Sequence, residues 1–308
     1  MPDVLKDIIL RHPTTEDAPA VIEMMVARDI AEYGEPDSSL EDLLDQWSDI
    51  SLDQDAWLVL TPEEQMLGYA AVYGGEQRFN FDLYTRPGLA HPGLTQYLLE
   101  LCEARAAEKR RANPSLQTTA ALIVSLVNPV ELQIVGELGY LPYQYYFGMR
   151  ISFDGPPPAP AWPPGVMLRN AIPEQDAQLI YDFIQEAFDQ PGRVRPSFKS
   201  WHDFMLGASN FDANLWFLAF RQEQLVGAIL CFDYEEYGWV RQLGVSPQCR
   251  GQGIGSALLQ YVFGVFYARG HNRVGLSVNA NNQNACHLYE QVGMKRLQQY
   301  AECRKTLS

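Results

Sequence analysis

Twelve residues near the middle of the chain, from Asp154 to Gly165, read DGPPPAPAWPPG and contain six prolines. Proline has no amide hydrogen and a fixed φ, so this segment cannot continue a helix, and it favours an extended, semi-rigid polyproline II conformation. The chain has 308 residues, which is enough for about two domains. The sequence therefore predicts a domain at 1–153, a linker at 154–165 and a second domain at 166–308.

Short segments on the two sides of this linker match in the same order, at an offset of about 155 to 160 residues. Each half has an apolar strand that ends in arginine, then a strand with a tryptophan, and later a glycine between two apolar residues. The paired segments are Ile9-Leu10-Arg11 with Met167-Leu168-Arg169, Ala56–Leu60 with Leu215–Ala219, and Leu138-Gly139-Tyr140 with Val292-Gly293-Met294. This self-similarity indicates an internal duplication.

Hydrophobic periodicity in the second half predicts a mixture of strands and helices. The predicted strands are 166–170, 214–220, 225–233, 237–246 and 273–278, and the predicted helices are 174–188, 197–207, one from Gly253 onward, and 282–292. The turns between the three middle strands are too short for a helical crossover, so these strands should pair as antiparallel neighbours. The predicted fold class is mixed α/β, with a mostly antiparallel central sheet and flanking helices.

Charge is distributed unevenly along the chain. The net charge is −15, and all of it lies in the first 155 residues, which hold 10 basic and 25 acidic side chains. Nucleic-acid binding needs clustered Lys and Arg, so we expect no nucleic-acid partner. No apolar run approaches the length of a membrane-spanning helix, and the first residues do not resemble a signal peptide. We therefore expect a cytoplasmic protein without a membrane partner.

Neither the cysteines nor the histidines predict a metal site. Cys102, Cys231, Cys249, Cys286 and Cys303 are odd in number and form no CxxC pair, so reduced thiols are expected. The histidines, His12, His91, His202, His271 and His287, have no metal-ligand spacing. The sequence assigns no metal.

The most distinctive segment, Gln248–Ser256, reads QCRGQGIGS and joins a predicted strand to a predicted helix. Alternate glycines allow close approach to the backbone, and the amides of a helix start attract anions, so the segment is a candidate phosphate cradle. It lacks the lysine of a P-loop and the GxGxxG of a dinucleotide fold. A purely structural glycine turn is the alternative.

The motifs around this loop resemble the GNAT superfamily of acyl-CoA N-acyltransferases. They are Gly244-Val245-Ser246-Pro247, the loop RGQGIG from Arg250 to Gly255, and NACHLYE from Asn284 to Glu290 ahead of Gly293. The resemblance implies that the backbone of Leu243 and Val245 lines the pantetheine arm of coenzyme A. It also implies that the amides from Arg250 through Gly251, Gly253 and Gly255 to Ser256 hold the pyrophosphate, and that Asn284 lies near the pantetheine.

The resemblance further identifies Tyr289 as the acid that protonates the departing thiolate, a step that acyl transfer to an amine requires. The spacing of Ala285, Leu288, Tyr289 and Val292 also suits an ordinary core-facing aromatic. No base is equally clear, because the strand from Gly238 to Leu243 holds no carboxylate. Glu236 is the candidate base, with a solvated hairpin role for Glu236, or an ordered water as base, as alternatives.

The first half keeps the layout without these side chains. Alignment of the matched glycines places Val130 opposite Asn284 and Val135 opposite Tyr289, and the loop from Leu83 to Leu94 contains two prolines. The chain thus resembles tandem-GNAT proteins such as mycothiol synthase in layout only, with a degenerate first copy. Because proline removes amide donors, one acetyl-CoA per chain is expected, in the second domain.

The sequence leaves two functions open. In the first, the chain is an N-acetyltransferase that moves an acetyl group from acetyl-CoA to a small amine or a peptide amino terminus, and the acidic first domain helps to form the acceptor site. In the second, it is an acyl-CoA-binding regulatory protein without turnover. The acceptor, the acyl length and the oligomeric state are not determined by the sequence.

Overall fold

A computed structural model describes residues 8–75, 78–89, 92–111, 118–190 and 193–307. Within the first half, the strands are β1 Ile9–Arg11, β2 Ala56–Leu60, β3 Met66–Gly75, β4 Arg78–Thr85, β5 Thr118–Ser125 and β6 Leu141–Ser152. The helices are α1 Ala18–Tyr33, α2 Leu40–Ser48, α3 Leu52–Asp55, α4 Pro92–Arg110 and α5 Pro129–Glu137, and a 3₁₀ helix at Thr15–Asp17 precedes α1.

The second half repeats this order of elements, except that α3 has no counterpart. Its strands are β7 Val166–Asn170, β8 Phe211–Arg221, β9 Gln224–Asp233, β10 Gly238–Val245, β11 Arg273–Asn279 and β12 Lys295–Leu307. Its helices are α6 Pro173–Ala187, α7 Phe198–Leu206, α8 Ile254–Ala268 and α9 Gln283–Gln291, with a 3₁₀ helix at Pro247–Cys249. Each strand and helix that the sequence predicts here is present within a few residues of its predicted bounds.

The chain folds into two compact units whose bounds differ from the domains predicted by the sequence. The first unit is Met1–Tyr146 with Gln298–Ser308, and the second is Phe147–Leu297. The chain passes from one unit to the other inside β6 and again inside β12. The reason lies in strand pairing, because residues 300–307 of β12 pair antiparallel with β5, from Tyr300 opposite Ser125 to Leu307 opposite Thr118.

The proline-rich segment 154–165 has no helix or strand, as its composition predicts, but it belongs to the second unit. The indole ring of Trp162 packs against the core of that unit, with its centroid 6.1 Å from the ring of Tyr261. Pro163 approaches the glycine loop, and a Cβ at Gly253 would lie 3.9 Å from its Cγ. The segment is therefore packed along one unit instead of spanning free between two domains.

Each unit contains a mixed sheet with helices on both faces. The strand order is β1-β2-β3-β4-β5-β12 in the first unit and β6-β11-β10-β9-β8-β7 in the second. Neighbouring strands are antiparallel in the predicted hairpins β8-β9 and β9-β10, whereas β4-β5 and β10-β11 are parallel. In the second unit, α8 and α9 cover one face of the sheet and α6 and α7 cover the other. The mixed, mostly antiparallel fold class is confirmed.

Matching side-chain contacts confirm the duplication. In the first unit Arg11 binds both carboxylate oxygens of Asp17, at 2.8 and 2.6 Å, and in the second unit Arg169 binds Asp176 at 2.6 and 2.8 Å. Gly139 and Gly293 follow α5 and α9 with φ of 90° and 96°. No helix within the described ranges is long and apolar enough to cross a membrane.

Candidate functional site

The glycine loop of the second unit leads from the end of β10 into α8. Gly253 caps the helix with a left-handed φ of 84° and offers no side-chain acceptor, and the first intrahelical bond runs from the Ala257 amide to the Gly253 carbonyl at 3.0 Å. The amides of Ile254, Gly255 and Ser256 therefore have no acceptor within the helix. Such amides, together with the helix dipole, form an anion site.

The three glycines of the loop are required for different structural reasons. Gly251 and Gly253 both have positive φ, 73° and 84°, a backbone conformation that strains other residues. A Cβ at Gly251 would meet no atom of the described residues within 4 Å, so the backbone there is open to a ligand. A Cβ at Gly255 would instead lie 3.0 Å from Leu288 Cδ2. The absence of a side chain at Gly255 thus serves the packing of α8 on α9, a role the sequence does not reveal.

Arg250 holds this loop against its neighbours. Its Nη2 donates to the carbonyl of Ala187, at the end of α6, over 2.7 Å, and its Nε lies 3.3 Å from the carbonyl of Val245, at the end of β10. The guanidinium is therefore engaged by backbone carbonyls and braces the loop against the ends of α6 and β10. The sequence singles out Arg250 but not this positioning contact.

Strands β10 and β11 separate before they reach the loop. In the part of the chain that the structure describes, they pair only at Gly238 with Val274 and at Trp239 with Gly275. A bulge follows, where the pairing of β10 with β9 skips Arg241. Beyond the bulge, Leu243 and Val245 pair with β9 alone, so they have no strand partner on the edge that faces β11. The Val245 carbonyl accepts from Arg250, which leaves the Leu243 backbone and the Val245 amide for a ligand. An extended ligand arm that carries amide groups can hydrogen-bond to such an edge. The resemblance to the family implies this position for pantetheine.

Tyr289 lies on α9 in the same apolar cluster against which Leu243 and Val245 pack. Its side chain is only 8% exposed. Burial raises the pKa of Tyr289 above its ordinary value, so the phenol is protonated at neutral pH. The position suits both a proton donor beside β10 and a core aromatic.

Two asparagines lie at the start of α9. The residue predicted to approach the pantetheine, Asn284, is exposed in the first helical turn. Asn282 caps the helix, and its side-chain oxygen accepts from the amide of Ala285 at 3.2 Å. Asn128 caps α5 in the same way through the amide of Glu131, so the cap is common to both units. The sequence signal for this cap is an asparagine at the boundary of a predicted helix.

Glu236 lies away from the other predicted residues. It belongs to the exposed turn between β9 and β10, with its side chain 68% exposed and 2.9 Å from Arg273 Nη2. The strand β10 separates this turn from the glycine loop, a length of roughly 20 Å or more. The structure thus brings together the loop, the edge of β10 and Tyr289, and it does not bring Glu236 to them.

The corresponding positions of the first unit differ. Val135, which takes the place of Tyr289, is fully buried, whereas Val130, opposite Asn284, is 58% exposed. Gly88 in the loop after β4 has a φ of 77°. Two residues of that loop, Ala90 and His91, lie outside the described residues.

The thiols and the metal-ligand side chains add no further site here. Cys286 is buried, and burial raises the pKa of its thiol, while Cys249 is partly exposed and unpaired. Among the described residues no group of three or more His, Cys, Asp or Glu side chains could hold a metal ion.

Comparison with known proteins gives one consistent result. Residues 177–294 match the acetyltransferase (GNAT) family. A crystal structure of a GCN5-related N-acetyltransferase from Sphaerobacter thermophilus is 33% identical, covers 100% of this chain and 97% of its own, and has a TM-score of 0.86. A mycothiol acetyltransferase of Cellulomonas flavigena is 27% identical over 260 residues, 78% of this chain and 72% of the relative.

A tandem GNAT protein from the clavulanic acid biosynthesis pathway shares the fold. It is 14% identical to this chain, with a TM-score of 0.71, over 98% of this chain and 99% of its own.

Proposed function

Because the chain belongs to the GNAT family of acetyltransferases, with acetyl-CoA as the acetyl donor, we propose that its second unit transfers the acetyl group to the amine of a small molecule or a peptide amino terminus. The observation that carries this proposal is the open glycine loop at the start of α8, directly beside the unpaired edge of β10. Both features lie within the residues that match the family.

Each part of this site has a physical task. The amides of Ile254, Gly255 and Ser256 would hold the pyrophosphate of acetyl-CoA. The backbone of Leu243 and Val245 would hydrogen-bond the amides of the pantetheine arm, which fixes the thioester in the cluster that contains Tyr289. The donor supplies an acetyl group activated as a thioester, and the amine attacks its carbonyl carbon directly.

Proton movement completes the reaction. The attacking amine must be uncharged, and the coenzyme A thiolate must gain a proton as it leaves. Tyr289 is protonated at neutral pH because burial raises its pKa, so its phenol can supply that proton. The amine loses its proton to a base that is either an ordered water or a carboxylate. Glu236 is the carboxylate that the sequence nominates, but it lies before β10 and pairs with Arg273, which favours the water.

The charge of the chain bears on the acceptor. The net charge is −15 and the excess lies in the first 155 residues. A negative field attracts cations and raises their local concentration. The proposed acceptor is therefore an amine that is protonated in solution, such as a polyamine, an amino sugar or a peptide amino terminus.

Thiol release from acetyl-CoA, measured across a panel of amines, tests the proposal. Cationic amines should accelerate release, and their kcat/KM should fall as salt rises, because salt screens the attraction. Coenzyme A binding without acceleration by any amine would support a regulatory protein and overturn the enzyme. A preference for anionic acceptors, or rates that are independent of salt, would overturn the cationic acceptor alone.

A further inference from the structure

The first unit keeps the strand separation that forms the proposed pantetheine edge in the second. Strands β4 and β5 pair in parallel from Arg78 with Thr119 to Phe81 with Leu122, and pair no further within the described residues. Leu83 then pairs with β3 through Ala70, in the register in which Leu243 pairs with β9 through Ile229. Leu83 is therefore the counterpart of Leu243.

The edge at Leu83 has a partner from within the same unit. Nη1 of Arg28, on α1, donates to the Leu83 carbonyl over 2.9 Å. Nη2 of Arg28 forms an ion pair with Glu131, in the first turn of α5. The two side chains are only 9% and 7% exposed, so a buried ion pair fills the separation beside β4.

Further contacts fix the Arg28–Glu131 pair in place. Nε of Arg28 lies 3.1 Å from Glu32, and Glu32 also accepts from the Asn128 side chain at 3.2 Å. The guanidinium lies over the Tyr84 ring, 5.3 Å from its centroid. Each hydrogen-bonding edge of Arg28 therefore has a partner, as a buried charge requires.

The counterparts of both residues in the second unit are alanines. Arg28 lies eleven residues after Asp17, the aspartate bound by Arg11. Ala187 lies eleven residues after Asp176, the aspartate bound by Arg169. Glu131 donates its amide to the cap Asn128, just as Ala285 does to Asn282. Alanine side chains carry no donor and cannot bridge the separation, so neither Ala187 nor Ala285 can do for Leu243 what Arg28 and Glu131 do for Leu83.

We propose that the Arg28–Glu131 pair is a built-in plug that occupies, in the first unit, the place of the pantetheine arm. The inference rests on the proposed function, in which the open edge of the second unit holds acetyl-CoA. Its consequence is that the first unit binds no coenzyme A, because Leu83 already has a donor and the space beside it is filled. Replacement of both side chains by alanine should open this cleft, because the corresponding positions of the second unit are alanines.

Hydrogen exchange of the intact protein, with and without coenzyme A, tests the plug without any substitution. Coenzyme A should slow amide exchange at 242–256 and leave 81–85 and 128–135 unchanged. Slower exchange at both places, or a calorimetric stoichiometry near two, would overturn the plug while the proposed function stands. No slowing anywhere and no binding heat would instead overturn the proposed function, and with it the basis of the plug.

Opening the cleft provides the second test. The R28A/E131A variant should bind a second molecule of pantetheine, which the intact chain does not bind. The calorimetric stoichiometry of pantetheine per chain should therefore rise from about one to about two. The matched control is R105A/D55A, which removes another largely buried ion pair of the first unit, 2.8 Å in length, away from the separation. A folded R28A/E131A variant with no additional binding, or equal binding by the control, would overturn the plug. If the variant does not fold, the exchange experiment on the intact protein decides.

Discussion

Gly255 of α8 lies against Leu288 of α9 so closely that a methyl group at position 255 would stand 3.0 Å from Leu288 Cδ2. Tyr289 is the next residue on α9. The contact therefore couples the glycine loop, through one helix-helix interface, to the side chain proposed as the proton donor. A change at Gly255 acts on α9, whereas a change at Gly251 or Gly253 acts on the open loop.

Replacement of Gly255 by valine should destabilise the second unit by about 1–3 kcal/mol, the typical cost of overpacking. Turnover should fall as well, because α9 and Tyr289 must shift. Truncation of the facing side chain in G255V/L288A should recover part of both losses, a coupling that a double-mutant cycle on urea midpoints and kcat measures. Strictly additive losses would show that Leu288 is not the group that Gly255 accommodates.

Replacement of Gly253 by valine should abolish coenzyme A binding and leave the fold intact. The backbone at Gly253 has a φ of 84°, so any side chain there adds strain of about 1–2 kcal/mol, and valine also blocks the open loop. Gly270, at the other end of α8, has a φ of 98° and open surroundings, so G270V is the matched control for strain alone. Unchanged affinity in G253V, measured by calorimetry, would refute the cradle.

Tyr289→Phe removes one hydroxyl from the core of the second unit. If the phenol protonates the departing thiolate, kcat should fall by about 10²- to 10⁴-fold while the affinity for acetyl-CoA changes little. Because burial raises the pKa of Tyr289, the phenol stays protonated, and its titration should not limit kcat between pH 7 and 9. Tyr267→Phe, near the far end of α8, is the control. Near-normal turnover in Y289F would leave Tyr289 as a packing residue.

The second unit shows what the sequence could and could not predict. Its helices and the strands β7 to β11 follow from hydrophobic periodicity and short turns, and the glycine loop follows from its spacing. The strand with which β12 pairs cannot be predicted in this way, because the residue pattern of a strand specifies which of its faces is apolar and not which sheet edge the strand joins. Pairing of β12 with β5 depends on contacts between residues far apart in the chain.

The sequence also does not predict which side chains pair with one another. Arg28 and Glu131 are separated by 103 residues, and each reads as an ordinary charged residue on a helix. Only the fold brings them together beside Leu83. The contacts of Arg250 with Ala187 and Val245 are equally invisible, because their acceptors are backbone carbonyls.

The substitution Glu236→Gln distinguishes two roles for this residue, a general base and a solvated hairpin residue. Glu236 is 68% exposed and paired with Arg273, and exposed ion pairs contribute little to stability, so folding should be unaffected. Its distance from the loop predicts a loss in kcat/KM of less than about tenfold, whereas removal of a general base costs roughly 10²-fold or more. A large loss that is relieved at high pH would establish Glu236 as the base despite its position.

The arginine–aspartate clamps near the start of each unit should confer stability that depends on pH. Hydrogen bonding to Arg11 lowers the pKa of Asp17 to about 2, and Arg169 likewise lowers the pKa of Asp176. An aspartate whose pKa is lower in the folded state stabilises the protein above the unfolded pKa of about 3.9, and this contribution disappears as pH falls towards the folded pKa.

The substitution R169Q should therefore lower the free energy of unfolding at pH 7 by at most about 1 kcal/mol, because the pair is partly exposed. The difference from the unmodified protein should shrink below pH 4, and R11Q should show the same trend down to about pH 2. Urea midpoints measured from pH 2 to pH 7 test this, with K199Q as the control, since its ion pair with Asp203 is highly exposed. A destabilisation by R169Q that is equally large at pH 7 and pH 2 would show that Arg169 acts through packing over Phe220, whose ring centroid lies 5.0 Å from the guanidinium, and not through the charge of Asp176.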